Sequence, residues 1–208
     1  RWKRSGEARK IIVGIDEAGR GPLAGPVVAA AFCIIGKPRF RAVGDFDSKK
    51  LTPQWREDLY QILTTHPQTE WGIGKVSEKL IDKINIFQAT RLAMRKAFLQ
   101  LNGKLEKRGL NPNLVIVDGM STIDISAPQK AIIKADTTIF SCMAASIIAK
   151  VTRDRLMLRY HKKYPLYGFD RHKGYGTPLH FEMLEKYGPC PIHRLSFAPC
   201  KYTSLLIK

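Results

Sequence analysis

Residues 10–15 form a short β-branched run and residues 26–35 form a second, joined by a glycine-rich stretch over residues 18–25. Two strands so close along the chain predict a hairpin at the start of a sheet. Thr52-Pro53 reads as an N-cap followed by proline at the first helical position, predicting a helix to about Leu63. Residues 69–76 predict a further strand. Ser77 with Glu78 opens a short helix, and a longer basic helix is predicted from about Ile86 to Lys107, closed by Gly109. Residues 113–117 are a compact apolar strand ending at Asp118-Gly119, and residues 130–134 are another, ending near Asp136. From Thr138 to about His161 the pattern turns helical, with Ile139, Met143, Ile147 and Val151 spaced for one buried face. Thr177-Pro178 repeats the cap-and-proline start for a last helix through about Tyr187. Strands early and helices interspersed later predict an α/β protein with a mixed sheet. The segment beyond residue 162, rich in Pro, Gly, His and aromatics, reads as a small C-terminal subdomain.

Composition changes this picture through charge. Lys and Arg number 35 against 18 Asp and Glu, a formal net charge of +17. Such an excess repels itself in the compact state, so it does not serve the fold. It suits a polyanion, because basic side chains displace counterions from phosphates; an anionic membrane surface is the alternative. No apolar run is long enough to span a bilayer. The opening Arg1-Trp2-Lys3-Arg4-Ser5-Gly6 is basic and lacks the apolar core of a signal peptide. Cys33, Cys142, Cys190 and Cys200 are scattered, which suits reduced thiols in a cytoplasmic protein. Cys190 with His193 would be half a zinc site, but no second half is visible.

Candidate chemistry lies in the acids. Asp16 and Glu17 end the first strand, Asp118 ends another and Asp136 follows a third. Strand ends place side chains at the rim of a sheet, where loops form clefts. Carboxylates meeting there repel unless cations sit between them, and such hard oxygen donors suit Mg²⁺ or Mn²⁺. Two such ions activate a water and stabilise the leaving oxygen of a phosphodiester. Taken singly, each acid is better explained by a cap or a surface ion pair, and the weight comes from the combination. Neighbours on a regular strand face opposite ways, so a shared site for Asp16 and Glu17 requires the chain to bend there. Residues 18–22 have the glycines for it. The run Gly19-Arg20-Gly21-Pro22-Leu23-Ala24-Gly25-Pro26 is not a phosphate loop of the Walker kind, because no Lys-Ser or Lys-Thr follows. Its glycine spacing also misses the dinucleotide fingerprint. It remains a tight turn whose bare backbone can approach a sugar or phosphate, or a plain structural turn.

Residues 14–27, Gly-Ile-Asp-Glu-Ala-Gly-Arg-Gly-Pro-Leu-Ala-Gly-Pro-Val, closely resemble the signature of bacterial ribonuclease HII. Further matches follow in order: Asp47-Ser48-Lys49-Lys50-Leu51, Val117-Asp118-Gly119, Lys134-Ala135-Asp136, residues 144–151 with Arg153-Asp154, His172 to Thr177, and His193 to Phe197. The resemblance implies a ribonuclease H-like fold: a mixed, five-stranded sheet flanked by helices. It divides the chain into a basic extension (1–9), a catalytic core (10–162) and a helical segment closing over the substrate (163–208). It implies Asp16, Glu17, Asp118 and Asp136 as catalytic ligands of two divalent ions, Mn²⁺ or Mg²⁺, with Asp16 shared between them. It implies that Gly19, Arg20 and Gly21 contact the ribonucleotide, and that Tyr175 packs on the sugar at the RNA-to-DNA junction. The implied substrates are RNA–DNA hybrids and ribonucleotides embedded in duplex DNA, cut to leave 5′-phosphate and 3′-hydroxyl ends, by a monomer in the cytoplasm.

Other residues have more than one reading. Lys49 and Lys50 meet phosphates or belong to a solvated loop. Ser146 and Lys150 share a helical face and support the site or the duplex. Asp154 either supports the site from behind its ligands or pairs with Arg153, the structural role being favoured, and His172 and His180 are expected at the surface. The basic helix over residues 91–107 either flanks a duplex or faces solvent. A non-catalytic nucleic-acid-binding module and a different two-metal nuclease, such as a junction resolvase or an integrase-like enzyme, are the rival readings.

Overall fold

The computed structural model describes residues 10–36 and 52–201. Among these residues, five strands form one sheet: β1 (Ile12–Ala18), β2 (Val27–Ile34), β3 (Thr69–Val76), β4 (Leu114–Asp118) and β5 (Gln129–Ile132), in the order β3-β2-β1-β4-β5. β1 pairs antiparallel with β2 and parallel with β4, so the hairpin and the mixed sheet are both as the sequence predicts. β2 is buried along nearly its whole length, because helices cover both faces of the sheet and leave no polar side.

Those helices are α1 (Pro53–Thr65), α2 (Glu78–Glu106) and α3 (Phe140–Lys163). Thr52 caps α1, accepting from the Trp55 amide at 3.3 Å. α2 bends at Asn85 (φ 64°), whose Oδ1 accepts the Gln88 amide at 3.1 Å and so caps the second segment. The short helix and the long helix read from the sequence are thus the two arms of α2. One face of the sheet, with Val13, Ile15, Ala29 and Ala31, packs under Ala93, Ala97 and Leu101 of α2. The other, with Ala30 and Phe32, packs under Ala145, Ile148 and Ala149 of α3 and Leu59 and Leu63 of α1. A Cβ at Gly14 would overlap the backbone of Ser141 and Cys142. The close approach that glycine permits there lays the start of α3 directly on β1.

After β4 and β5, a 3-10 turn (Ala135–Thr137) leads into α3. The C-terminal part carries α4 (Phe169–His172) and α5 (Pro178–Tyr187), the latter capped by Thr177 as predicted. It shares a core with the rest of the chain: Phe169, Leu184 and Ile192 pack with Met157 of α3 and with Leu23 and Ala24 of the glycine-rich turn. Main-chain bonds from Leu23 to Gly174, from Gly25 to Ile192 and from Arg194 back to Leu23, each 2.8 Å, join the two parts. Among the described residues, no helix is long and apolar enough to cross a membrane.

Candidate active site

Asp16, Asp118 and Asp136 converge because their backbones do. β1 and β4 are parallel neighbours, so their C-terminal ends lie side by side, carrying Asp16 and Asp118. Lys134, in the left-handed region at φ 58°, turns the chain after β5 and brings Asp136 down on the 3-10 turn. The Ala135 amide donates to Asp118 Oδ1 at 2.8 Å, tying that turn to β4. One carboxylate oxygen from each of the three aspartates lies within 4.8 Å of the others.

Glu17 is not in this cluster. Register between β1 and β2 continues unbroken through Asp16, Glu17 and Ala18, so the expected bend between the two acids does not occur. The chain turns one step later, at Gly19 (φ +96°), because ladder hydrogen bonds hold the strand straight up to that point. Glu17 lines the adjoining cavity, where Arg20 Nη1 lies 3.4 Å from its carboxylate.

Electrostatics show the strain of gathering these acids. Burial pushes the Asp16 carboxyl well above its ordinary range, helped by the charges of Glu17 and Asp118 and opposed by a hydrogen bond from Ser146. Burial also raises Glu17, with Asp118 adding to it and Arg20 opposing. Burial and neighbouring negative charge both disfavour the ionised carboxylates, and a divalent cation among them would offset both. Three hard oxygen donors at this spacing fit Mg²⁺ or Mn²⁺, and not a thiolate- or imidazole-seeking metal.

The cavity beside the aspartates measures about 410 Å³ and is lined by Glu17, Gly19, Arg20, Gly21, Ser146 and Tyr175, with Arg56 and Lys150 contributing cations. The glycine turn, Tyr175 and Ser146 are therefore brought together, although more than 150 residues separate the first two. Lys150 bonds Asp154 at 2.8 Å one helical turn along α3. This corrects the expected Arg153–Asp154 pair, because Arg153 points the other way. Lys49 lies outside the described residues, as do Lys50 and residues 1–9.

The sequence assigns Arg153 only to a pair with Asp154 and Arg194 to no role, yet both guanidiniums lie buried behind the turn. Arg153 donates to the carbonyls of Pro26 (3.1 Å), Ala24 (3.1 Å) and Lys173 (3.0 Å), and lies over the Tyr175 ring at 5.9 Å. Arg194 donates to the carbonyls of Gly19 (2.6 Å), Arg20 (2.8 Å) and Gly25 (2.8 Å). Burial, with the charge of Arg153, lowers Arg194 to about 9. Arg194 lay within a recognised motif, but nothing in its neighbours along the chain reveals partners so far away.

His172 and His180 are a second correction: both are buried, not at the surface. His172 stacks on His180, and His180 belongs to a polar chain that the aromatic packing encloses. The Cys190 amide donates to His193 Nδ1 at 2.8 Å, the His193 and His180 Nε2 atoms lie 3.0 Å apart, and His180 Nδ1 meets the Tyr175 carbonyl at 2.8 Å. Donor follows acceptor along this chain when both rings are neutral, with His193 donating to His180 and His180 to Tyr175. Burial first, then neighbouring imidazoles, holds His180 and His193 down to about 4. Cys190 and His193 are thus joined to each other through the backbone. All four cysteines are free and buried.

Comparison with known proteins agrees with this geometry. The family profile described as ribonuclease HII matches residues 13–200. Ribonuclease HII of Chlamydia caviae is 49% identical over 196 residues, covering 94% of this chain and 88% of its own. That of Acetivibrio thermocellus is 52% identical over 188 residues, covering 90% and 70%. Among solved structures, ribonuclease H2 of Pyrococcus horikoshii OT3 has a TM-score of 0.72 and 31% identity, covering 94% of this chain and 98% of its own. The RNase HII of Archaeoglobus fulgidus, solved in a complex with PCNA, has a TM-score of 0.71 at 27% identity, covering 90% and 95%. Bst-RNase HIII in complex with Mn²⁺, at 19% identity and a TM-score of 0.76, shares the fold.

Proposed function

Since the chain belongs to the ribonuclease HII family, whose members are endonucleases acting on RNA–DNA hybrids, we propose that it cuts on the 5′ side of ribonucleotides, in such hybrids and singly embedded in duplex DNA. The observation that carries this reading is a three-aspartate cluster joined, through Glu17 next to Asp16 and Ser146 bonded to it, to a cavity walled by the Gly19-Arg20-Gly21 turn and Tyr175. A metal site alone fits any phosphodiesterase; a bare backbone turn and an aromatic ring beside it fit one that inspects sugars.

Asp16, Asp118 and Asp136 would hold the cations, with Glu17 completing the set from the adjoining wall. Two divalent ions, Mg²⁺ or Mn²⁺, would supply charge compensation and an activated water there. The chain's own groups do the rest. The Ser146 hydroxyl holds the Asp16 carboxylate in place. Backbone amides of the turn hydrogen-bond the 2′-OH, the group that distinguishes RNA from DNA at a site. Arg20, Arg56 and Lys150 meet phosphates, and the +17 charge draws the duplex in. The Tyr175 ring, 44% exposed, packs on the next sugar and disfavours a second hydroxyl there. A water oxygen bonds to phosphorus as the P–O3′ bond breaks, leaving a 3′-hydroxyl on one fragment and a 5′-phosphate on the other. One chain carries the whole site, which supports action as a monomer. Its buried thiols suit the cytoplasm.

The test is cleavage of a labelled DNA duplex carrying one ribonucleotide, beside an all-DNA control, with Mg²⁺, Mn²⁺ or chelator. Metal-dependent cutting 5′ to the ribonucleotide with the control intact is expected. Binding without cutting under every metal condition would return the protein to the class of passive nucleic-acid modules.

A further inference from the structure

Resting on that reading of the turn, we propose that Arg194 and Arg153 are positioning residues for sugar recognition, a two-guanidinium clamp that aims the backbone amides of Arg20 and Gly21 into the cavity and locks Tyr175 to the same frame.

In a trans peptide the C=O of one residue and the N–H of the next point in opposite directions. Arg194 draws the carbonyls of Gly19 and Arg20 inward, at 2.6 and 2.8 Å. The N–H groups of Arg20 and Gly21 must then point away from Arg194, on the side where these residues line the cavity. A second bond set, from Nε (3.0 Å) and Nη2 (2.8 Å) to the Gly25 carbonyl, ties the far end of the turn to the same guanidinium. A planar fork holding several carbonyls at fixed angles is what arginine provides and lysine does not.

Arg153 extends the clamp sideways. It bonds Ala24 and Pro26 in the turn and Lys173 in the segment that bears Tyr175, and it lies beneath the Tyr175 ring. The donors aimed at one sugar and the ring meant for the next are thereby fixed relative to each other by one side chain. Both cations spend their hydrogen bonds on main-chain carbonyls. Burying an arginine for packing alone would be better served by an apolar residue of similar volume. The arrangement makes sense where the orientation of a loop backbone is the product.

The decisive experiment compares the parent with Arg194→Lys and Arg153→Lys on two substrates, the single-ribonucleotide duplex and a duplex with a patch of four ribonucleotides, recording kcat, KM and the distribution of cuts within the patch. A fold that is merely weakened lowers active enzyme and scales every cut equally; misaimed amides change the distribution itself. For Arg194→Lys, kcat on the single ribonucleotide is expected to fall about 10- to 100-fold while KM moves less than about threefold, since phosphate contacts hold the duplex. Cuts in the patch are expected to spread beyond the parent's preferred position. In ¹⁵N-labelled protein with chelator present, the Arg20 and Gly21 amide signals are expected to respond to the ribonucleotide duplex in the parent and to lose that response in the variant.

If Arg194→Lys does not fold, Arg153→Lys carries the same test through the Lys173 arm. A folded variant with the parent's cut distribution and kcat within about twofold overturns the clamp. A parent protein whose Arg20 and Gly21 amides ignore the 2′-OH overturns the underlying reading of the turn instead, so the two failures are distinguishable.

Discussion

Replacing Gly19 by alanine tests the turn where its geometry is tightest. Gly19 sits at φ +96°, and a Cβ there would overlap Nε and Cδ of Arg153 and lie 2.9 Å from the Pro26 carbonyl. Two contributions follow. A side chain in left-handed backbone costs about 1–2 kcal/mol. Arg153 must also withdraw, breaking its 3.1 Å bond to the Pro26 carbonyl, and a hydrogen bond from a charged donor contributes about 1.5–3 kcal/mol. The sum is roughly 2.5–5 kcal/mol, or a Tm lowered by roughly 5–20 °C for a chain of this size. Gly21, two residues on, is the internal control. It has no positive φ, and a Cβ there meets only Tyr175 Cε1 at 3.8 Å. Gly21→Ala is therefore expected to leave Tm unchanged or raise it by up to about 4 °C, while slowing cleavage because the new methyl enters the cavity. Thermal unfolding by circular dichroism, paired with cleavage of the single-ribonucleotide duplex, separates the two effects. Equal Tm values for the parent and Gly19→Ala would refute the packing of Arg153 against the turn.

Four other outcomes are expected. Asp16→Asn removes turnover by several orders of magnitude with duplex binding largely retained in a gel-shift assay; substantial residual cleavage in the folded variant would remove Asp16 from the site. Tyr175→Ala keeps the fold, because the ring is half exposed, but loses rate at the RNA-to-DNA junction by about tenfold, near the 1–2 kcal/mol of one stacking contact; an unchanged junction preference would dismiss the ring's role. His180 and His193, held down to about 4 from an ordinary 6.5, stay neutral while their unfolded counterparts protonate. The neutral pair therefore contributes stability that is fully present above about 6.5 and lost as pH falls toward 4, on the order of 3 kcal/mol for each ring; imidazole NMR signals that titrate above pH 6 would contradict it. Cys33 and Cys142, pushed up to about 12, and Cys190 and Cys200, to about 11, resist a thiol-specific reagent in the native protein and react on unfolding; rapid native labelling would show that a thiol is exposed.

The sequence by itself determined the elements, and for a local reason. Caps and prolines at Thr52-Pro53 and Thr177-Pro178, alternating or continuous apolar runs, and the break near Asn85 act within a few residues, so they are legible in order along the chain. The β1–β2 hairpin follows from the short connection, and the acids at strand ends are visible as soon as the strands are. Tertiary structure alone decided which acids meet. Parallel pairing of β1 with β4 and the left-handed turn at Lys134 gather Asp16, Asp118 and Asp136, while unbroken pairing through Ala18 keeps Glu17 out of that cluster. It also decided the fate of the histidines and of Arg153 and Arg194, which look like surface residues in a chain so basic. Their partners are main-chain carbonyls and other rings across the fold. A hydrogen bond to a backbone carbonyl leaves no mark in the identity of the accepting residue, so no pattern of side chains along the sequence announces it.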